Sequence, residues 1–357
     1  AAAWVGTLPC REIAAELESN LDLLVSRQRG APERHGSLRA VFDHSWSLLS
    51  DAERSAFCQL AVFQGGFTRG AAAQVAHASL EMLSVLLDKS LIYRVEPSAL
   101  GIPGGGDQSR YSIHQVLQQY AAEALERIPV LREAALARQR AYYLDLLESA
   151  GQRLMGEATR EALMSLRLEA GNVRLAVDGT VQIGDWERMQ QVLPYWILCM
   201  EMCGSRSEAT EALRPVVSAA RAAWAHDKGN VALRGVLSFV LAAQRHFASQ
   251  AERGALEKLA YESLALAKEI PDGVEKAFAL TLNSVGYGLP ASDALAVAEQ
   301  CLALFEGAGH LWGQATAQLI CADINSLAYG RHAQAEPAYQ AAKALFDTLG
   351  NRWGQAL

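Results

Sequence analysis

A repeated segment near the carboxyl end constrains the fold of this chain more than any other feature. Residues 301–316, "CLALFEGAGHLWGQAT", and residues 342–357, "AKALFDTLGNRWGQAL", agree at eight of sixteen positions at an offset of 41 residues. A weaker copy begins at Leu264. Helix pairs that recur at a fixed period cannot bury their apolar faces alone, so they stack on their neighbours. The repeat predicts an α-solenoid of tetratricopeptide-like helix pairs, with HEAT-like pairs as the alternative because the period exceeds about 34 residues.

The region from residue 34 to 128 follows a different pattern. A capping box at Ser50 starts one helix, the pair Gly65-Gly66 can supply the left-handed residue that ends it, and Thr68 can cap the next helix. The strand-like runs "LIYRV" and "RYSIH" flank "EPSALGIPGGGDQS", which is rich in Gly and Pro. These glycines lack the Gly-Lys-Ser/Thr ending of a phosphate loop, so they indicate a hairpin tip. Three helices followed by a β-hairpin are typical of a winged-helix domain.

The whole chain is therefore predicted to be mostly α, with four regions. Residues 1–33 end a helical linker domain, residues 34–128 form the winged helix, residues 129–204 are bridging helices, and residues 205–357 form the tetratricopeptide-like superhelix. The chain starts "AAAWV", without methionine, and its last repeat stops when only its first helix has begun. Both features lead us to expect a fragment of a longer protein, truncated at the carboxyl end.

The composition limits which binding partners and which cellular compartment we expect. The chain has 357 residues, 51% of them hydrophobic, and a formal net charge of -7. This charge argues against nucleic acid or an anionic membrane surface as the main partner, because both need dense Lys and Arg. The most apolar stretches, such as residues 192–203, are too short to span a bilayer. The six cysteines show no disulfide or zinc-finger spacing, so we expect a reducing cytoplasm.

Two of the cysteines share a helix face. Cys199 and Cys203 are four residues apart and could serve as two metal ligands. No second close pair completes a site, and buried cysteines on an apolar helix face are far commoner. The sequence therefore predicts no metal site.

No catalytic motif is present. There is no Gly-x-Ser-x-Gly elbow, His-Glu-x-x-His, paired Cys-x-x-Cys or Walker-type loop. Six scattered histidines lack partners at metal-ligand spacing, and we expect surface or helix-end roles for them: His44, His77, His226, His246, His310 and His332. A non-enzymatic binding scaffold is the expected class.

The winged-helix region also lacks the charge pattern of a DNA reader. The helix before the hairpin, "SLEMLSVLLDKS", carries Glu81 and Asp88 against Lys89 alone. Residues 34–128 contain eight Lys/Arg and nine Asp/Glu. Phosphate contacts need several aligned cations, so direct DNA binding is not predicted.

His114 stands where a strand-like run meets an amphipathic helix, "RYSIHQVLQQYAAEAL". The first amides of a helix point outward, so a histidine at this position is well placed to contact an anion. It could equally cap its helix or bond within the hairpin. The residues alone leave these alternatives open.

Several stretches together resemble a known family. "SLRAVFDHSWSLLSDAERSAFCQLAVFQGGFT", "LLDKSLIYRV" and "RYSIHQVLQQYAAEAL" resemble the winged-helix region of bacterial STAND regulators. These are signal-transducing ATPases related to the NB-ARC proteins of apoptosis and plant immunity, and the resemblance extends to the LuxR-type maltose-regulon activators. "LEAGNVRLAVDGTVQIGDW" (168–186) looks like the bridging helices of that family, and the repeats resemble its sensor arm.

The resemblance implies a role for His114. Ile113-His114-Gln115 falls where relatives carry a Met-His-Asp-type motif, although Gln115 replaces the aspartate. In the family that histidine approaches the β-phosphate of ADP and locks the resting state. The resemblance thus implies ADP or ATP with Mg in the full-length protein, none in this part, and an upstream nucleotide-binding domain of the same polypeptide as partner. Oligomerisation on activation is a further implication.

The repeats would then bind an unknown inducer, which could be a protein, a peptide or a small molecule. In a solenoid one face of each first helix lines a groove. The groove candidates are Arg234, Gln244, Arg245, Phe278, Leu282, Ile320 and Ile324. Packing between helices is the alternative for each of them. A tetratricopeptide interaction scaffold and, behind it, a DNA-binding transcriptional regulator are the rival functions.

Overall fold

The computed structural model describes residues 46–95, 109–248, 253–285 and 288–357. The predicted linker domain and the hairpin tip lie outside these residues. The chain divides into two compact units, with the boundary between Tyr142 and Tyr143. Each unit is described separately.

The first unit contains short helices and a small antiparallel sheet. Its elements are α1 (Asp51–Leu60), β1 (Phe67–Thr68), α2 (Arg69–Ala76), α3 (Leu80–Asp88), β2 (Tyr93–Val95), β3 (Arg110–Ser112), α4 (Gln115–Glu126) and the first half of α5 (Pro129–Leu154). The strand order is β1-β3-β2, so the predicted hairpin pairs β2 with β3, with Tyr93 opposite Ser112.

The helix starts of this unit follow the sequence. The Ser50 backbone N–H donates to Glu53 Oε2 at 2.7 Å, and the Glu53 N–H donates to Ser50 Oγ at 3.3 Å, which confirms the capping box. Thr68 Oγ1 accepts from the Ala71 N–H at 3.2 Å and so caps α2 as predicted. These caps need only residues three apart, which is why sequence reveals them.

The predicted end of α1 was wrong. The helix ends at Leu60, before Gly65 and Gly66, which instead turn the chain into β1 with φ of 79° and 91°. A Cβ on Gly66 would lie 2.7 Å from the carbonyl oxygen of Tyr111. Only glycine suits this position, because the backbone is left-handed and a side chain would meet the Tyr111 carbonyl.

Aromatic side chains and one arginine hold the first unit together. Phe63 and Phe67 are buried and stack with ring centroids 4.8 Å apart. Arg138 on α5 donates to the Val75 carbonyl at 2.8 Å and to the Gln59 side chain. The long helix α5 is thereby tied to α1 and α2.

The second unit is a succession of helices, as the repeat predicts. After the end of α5 come α6 (Thr159–Leu168), α7 (Ala170–Ile183), α8 (Trp186–Cys203), α9 (Arg206–His226), α10 (Val231–Phe247), α11 (Arg253–Lys268), α12 (Val274–Ser284), α13 (Ala291–Gly307), α14 (Leu311–Asp323), a π-helical turn (Ile324–Ala328), α15 (His332–Thr348) and α16 (Arg352–Ala356). Successive helices pack against each other. The Ser205 hydroxyl caps α9 by accepting from the Glu208 N–H.

The first copy of the repeat forms a tight interhelical turn. Gly309 has φ of 65°, and the His310 N–H donates to the Phe305 carbonyl at 2.9 Å. His310 is the N-cap residue of α14, because its Nδ1 accepts from the Gly313 N–H at 3.0 Å. Any Cβ on Gly313 would overlap the Phe305 ring. The expectation of a helix-end role for His310 is confirmed.

The second copy reproduces this turn group by group. Gly350 has φ of 61°, and the Asn351 N–H donates to the Phe346 carbonyl at 3.0 Å. Asn351 Oδ1 accepts from the Gly354 N–H at 2.7 Å, and a Cβ on Gly354 would overlap the Phe346 ring. The sequence repeat is therefore also a structural repeat.

Asn351 makes one connection that the first copy lacks. Its Nδ2 donates to the Leu154 carbonyl at 2.8 Å, and it approaches Thr159 Oγ1 at 3.4 Å. Asn351 is fully buried. The start of α16 is therefore held against the end of α5, almost two hundred residues earlier in the chain.

The structure also bears on two expectations from the sequence, one about the cysteines and one about membrane-spanning helices. Cys58, Cys199, Cys203, Cys301 and Cys321, the cysteines of the described ranges, are free thiols. No single helix of those ranges combines the length and apolar composition of a membrane span. The pair α2 and α3 meets these criteria only when joined, and it bends by 105° between its members.

Candidate functional site

His114 lies at the start of α4, where the sheet ends. Ile113 is buried and anchors this junction, and His114 follows with the extended backbone of an N-cap residue, φ -61° and ψ 139°. Its ring is exposed and stacks on Tyr93, with ring centroids 4.6 Å apart and planes inclined by 28°.

The imidazole does not cap its helix. Its ring accepts no hydrogen bond from the first turn of α4, and it has no hydrogen-bond partner among the described residues. The backbone N–H groups of the first turn have no partners inside the helix, as at any helix start. His114 is thus an exposed donor or acceptor at a helix start.

A cavity of about 260 Å³ adjoins the imidazole. It is lined by Leu60, Phe63, Gly65, Gly66, Phe67, Tyr93, Ser112, Ile113, His114, Gln115 and Gln118. No carboxylate is among the lining residues. The lining combines apolar core side chains with polar groups from the helix start, the strands and the glycine turn.

Two polar residues that the sequence analysis missed fix the walls of this cavity. Gln118 Nε2 donates to the carbonyls of Phe63 at 2.6 Å and Ala61 at 3.3 Å. Arg110 donates through Nη2 to the Gly65 carbonyl at 3.0 Å. The spacing from His114 to Gln118 could have revealed the first of them, because residues four apart share a helix face. Nothing local to Arg110 indicates its partner 45 residues earlier.

The arrangement suits an anion. The N–H groups of a helix start, together with the partial positive charge of the helix dipole, favour phosphate oxygens. Imidazole can add a hydrogen bond from either ring nitrogen, according to its tautomer. The absence of a lining carboxylate removes the main source of repulsion.

Among the groove candidates, Arg234 contacts neighbouring turns. Its guanidinium donates to the Glu269 carbonyl at 3.0 Å and to the Lys228 carbonyl at 3.1 Å. It also lies over the Trp224 ring, 5.4 Å from the centroid. These contacts connect α10 with the ends of two adjacent helices.

Arg245 is buried and connects α10 with α12. Its Nη2 donates to the carbonyls of Leu282 and Val285 at the carboxyl end of α12, the latter at 2.7 Å. Burial lowers the pKa of the guanidinium to about 10. Leu282 and Gln244 are only partly buried.

The apolar candidates lie between helices. Phe278 is 8% exposed and packs edge-on against the rings of Phe305 and His310. Ile320 is buried in a small core cluster, and Ile324 packs on the same cluster. The structure therefore gives these side chains interhelical contacts, and a ligand-binding groove formed by them stays a prediction.

No protein-family model matches the chain. Over 176 aligned residues it is 35% identical to proteins of Mycobacterium bovis and Mycobacterium tuberculosis that are provisionally named HTH-type transcriptional regulators. The alignment takes in 45% of this chain and 19% of each relative, so the match spans about a fifth of their length.

One solved structure is also similar. It is a signal transduction ATPase with numerous domains (STAND) from Pyrococcus horikoshii, which carries a tetratricopeptide repeat sensor. The identity is 12%, the alignment covers 95% of this chain and 56% of that chain, and the TM-score is 0.34. This likeness is too weak to establish a common fold.

Proposed function

We propose that this chain is a non-catalytic regulatory part of a STAND-type signalling ATPase. In this proposal residues 34–128 form a winged helix that holds a nucleotide-binding domain of the same polypeptide in its ADP-bound resting state. His114 supplies a hydrogen bond to the ADP phosphate, and the helical array binds the inducer. ATP and Mg belong to the nucleotide-binding domain, which hydrolyses ATP.

The state of His114 is the observation that carries this proposal. A histidine that served only the local fold would be buried or would cap α4, as His310 caps α14. Instead the ring is exposed, has no hydrogen bond within the described residues, and lies at a helix start and beside a cavity without lining carboxylates. This set of donors suits a phosphate presented by another domain.

The order of elements in the first unit supports the winged-helix assignment. A helix and a short strand precede two helices, and a paired β-hairpin follows them. The third strand of the sheet, β1, pairs with β3 on the side away from β2. The charges on α3 give no support to a DNA-reading role for this domain.

The names of the mycobacterial relatives support transcription as the process that the whole polypeptide regulates. Those proteins are more than five times as long as the matched stretch, which leaves room for separate nucleotide-binding and DNA-binding parts. Control by an inducer requires that the inducer bind the open and closed states with different affinity. The array of the second unit, with its many interhelical surfaces, is the part we assign to that binding.

The proposal is tested by His114→Ala in the full-length protein. We expect the variant to lose bound ADP faster during gel filtration and to show raised basal ATPase activity, because one phosphate contact of the resting state is missing. His77→Asn is the matched control, since His77 is exposed in the same unit and its left-handed backbone suits asparagine.

Unchanged ADP retention in His114→Ala would overturn the role of this histidine. The sequence upstream of residue 1 provides an independent check. A Walker-type Gly-Lys-Ser/Thr motif is expected there, and its absence would favour an interaction scaffold instead.

A further inference from the structure

The last two turns of α8 carry two thiols on one face. Cys199 Sγ and Cys203 Sγ are 3.9 Å apart and within hydrogen-bonding distance. Cys203 is exposed at the end of the helix, and Gly204 ends it with a left-handed backbone. Cys203 is therefore accessible from outside the fold, and Cys199 lies half-buried beside it.

The pair lines a cavity of about 340 Å³ between α5, α6, α7, α8 and α9. Most of its lining is apolar, including Leu166, Trp196 and Met200, and three charged side chains join it: Arg167, Arg174 and Glu208. The space is large enough for an aromatic ring beside the sulfurs, with Trp196 and Met200 as apolar walls.

The two thiols differ in acidity. The hydrogen bond with Cys199, helped by the charge of Arg167, lowers the pKa of Cys203 to about 7. The same hydrogen bond, together with burial, raises the pKa of Cys199. Near neutral pH the pair thus holds one nucleophilic thiolate and one thiol that keeps its proton.

The helix geometry separates two kinds of thiol chemistry. Residues four apart on a helix have Cβ atoms about 5–6 Å apart. A disulfide needs Cβ atoms about 3.5–4.5 Å apart, so direct oxidation of this pair requires the helix end to unwind. Two bonds of about 2.3 Å that meet at one pyramidal or tetrahedral atom place their sulfurs roughly 3.4–3.8 Å apart, slightly closer than the spacing found here. A single bridging atom therefore needs only small rotations of the two side chains.

The number of ligands at the site limits which atom can bridge the two sulfurs. In the described ranges no group of three or more His, Cys, Asp or Glu side chains could hold a metal ion. A structural zinc ion needs four ligands, whereas a monosubstituted trivalent arsenical needs only two sulfurs because its third bond goes to carbon. The apolar cavity can take the organic group.

We propose that Cys199 and Cys203 form a dithiol site that binds one soft, thiophilic centre through both sulfurs, with a monosubstituted trivalent arsenical as the ligand class. The Cys203 thiolate attacks arsenic first. The Cys199 thiol then forms the second As–S bond as its proton passes to the oxygen. Two As–S bonds form, the bonds from arsenic to oxygen break, and oxygen leaves as water after taking up the Cys199 proton and one proton from solvent. Arsenic stays trivalent throughout. The site does not depend on the nucleotide role of His114.

The test uses phenylarsine oxide and the whole chain, in the presence of an excess of a small monothiol. Intact mass spectrometry should show one phenylarsenic group per chain, bound with loss of one water. We expect the adduct to survive the monothiol and to be removed by 2,3-dimercaptopropanol, because only a dithiol can replace both sulfurs together. Cys199→Ser and Cys203→Ser should each lower the retained adduct at least tenfold.

Two control variants make the outcome specific. Cys321→Ser alters a buried thiol of the array, and Cys10→Ser alters a thiol outside the described residues; both should retain the adduct. Circular dichroism checks that each variant is folded. Cys203 is exposed, so its replacement by serine should not disturb the core. Retention of the adduct by folded Cys203→Ser, or its loss in Cys321→Ser, would overturn the proposal. Rapid formation of a Cys199–Cys203 disulfide under diamide with the helix content unchanged would overturn its geometric basis.

Discussion

His114 and His310 are both N-cap residues, but only the His310 side chain caps its helix. His310 in the second unit caps α14 through Nδ1, and its ring packs between Phe278 and Phe305. His114 in the first unit makes no cap bond, and its exposed ring contacts Tyr93 alone among the described aromatic rings.

The difference lies in the surroundings and not in the residue type. Gly313, three residues after His310, presents its N–H to the ring while the Phe305 ring covers the glycine. At His114 one face of the ring rests on an edge strand and the remainder is open. The two histidines therefore differ in burial and in the cap hydrogen bond. His310 is packed and accepts a bond from its own helix, whereas His114 is exposed and accepts none.

The largest effect on the free energy of unfolding is expected at the glycines that pack on phenylalanine rings. Gly313→Ala and Gly354→Ala should each lower the free energy of unfolding by about 2–3 kcal/mol, because the new methyl group overlaps the ring beneath. Urea denaturation followed by circular dichroism measures this change. Gly307→Ala is the matched control, since a methyl group there meets no atom within 4 Å and helix propensity should make the change neutral or stabilising.

The next effect concerns the cap itself. His310→Ala should lower the free energy of unfolding by about 1–2 kcal/mol, because the Gly313 N–H loses its acceptor. His310→Asn should recover most of this loss in the same measurement, since Asn351 caps the second copy through its side-chain oxygen. Equal destabilisation by the two variants would show that ring packing, and not the cap, is what His310 provides.

A smaller effect is a pH dependence of stability in the second unit. Burial lowers the pKa of His310 in the folded chain, so the unfolded chain binds more protons below its own pKa of about 6.5. Stability from this group is therefore complete above that pH and declines as pH falls toward the lowered folded pKa. Urea titrations at pH 7.5 and 5.5 measure the decline, and His310→Asn should reduce it. An unchanged decline in the variant would assign the effect to other groups.

The smallest effect is expected at His114. His114→Ala should change the free energy of unfolding by no more than about 0.5 kcal/mol, because an exposed ring with one stacking contact contributes little. The same variant is expected to weaken ADP retention in the full-length protein. A loss of stability as large as that of His310→Ala would make His114 a structural residue and remove the contrast.

Part of the candidate site was readable from the sequence. The position of His114 at a strand-to-helix junction follows from the switch in apolar period, and the structure places it there. The caps at Ser50 and Thr68 follow from spacings of three residues. Gln118, which lines the cavity, and Arg110, which binds the lining residue Gly65, were missed, because their acceptors lie 45 to 57 positions away in sequence.

By itself the sequence determined the local features of this protein: where helices begin, which turns need glycine, and that the last two helix pairs repeat. These depend on hydrogen bonds and steric limits among residues a few positions apart. Only the tertiary structure decided that Asn351 reaches the end of α5, that Arg245 is bound to α12, and that the groove candidates Phe278 and Ile320 are buried. The reason is physical: such contacts depend on how whole helices pack, and one helix face can be covered in many ways that leave the local pattern unchanged.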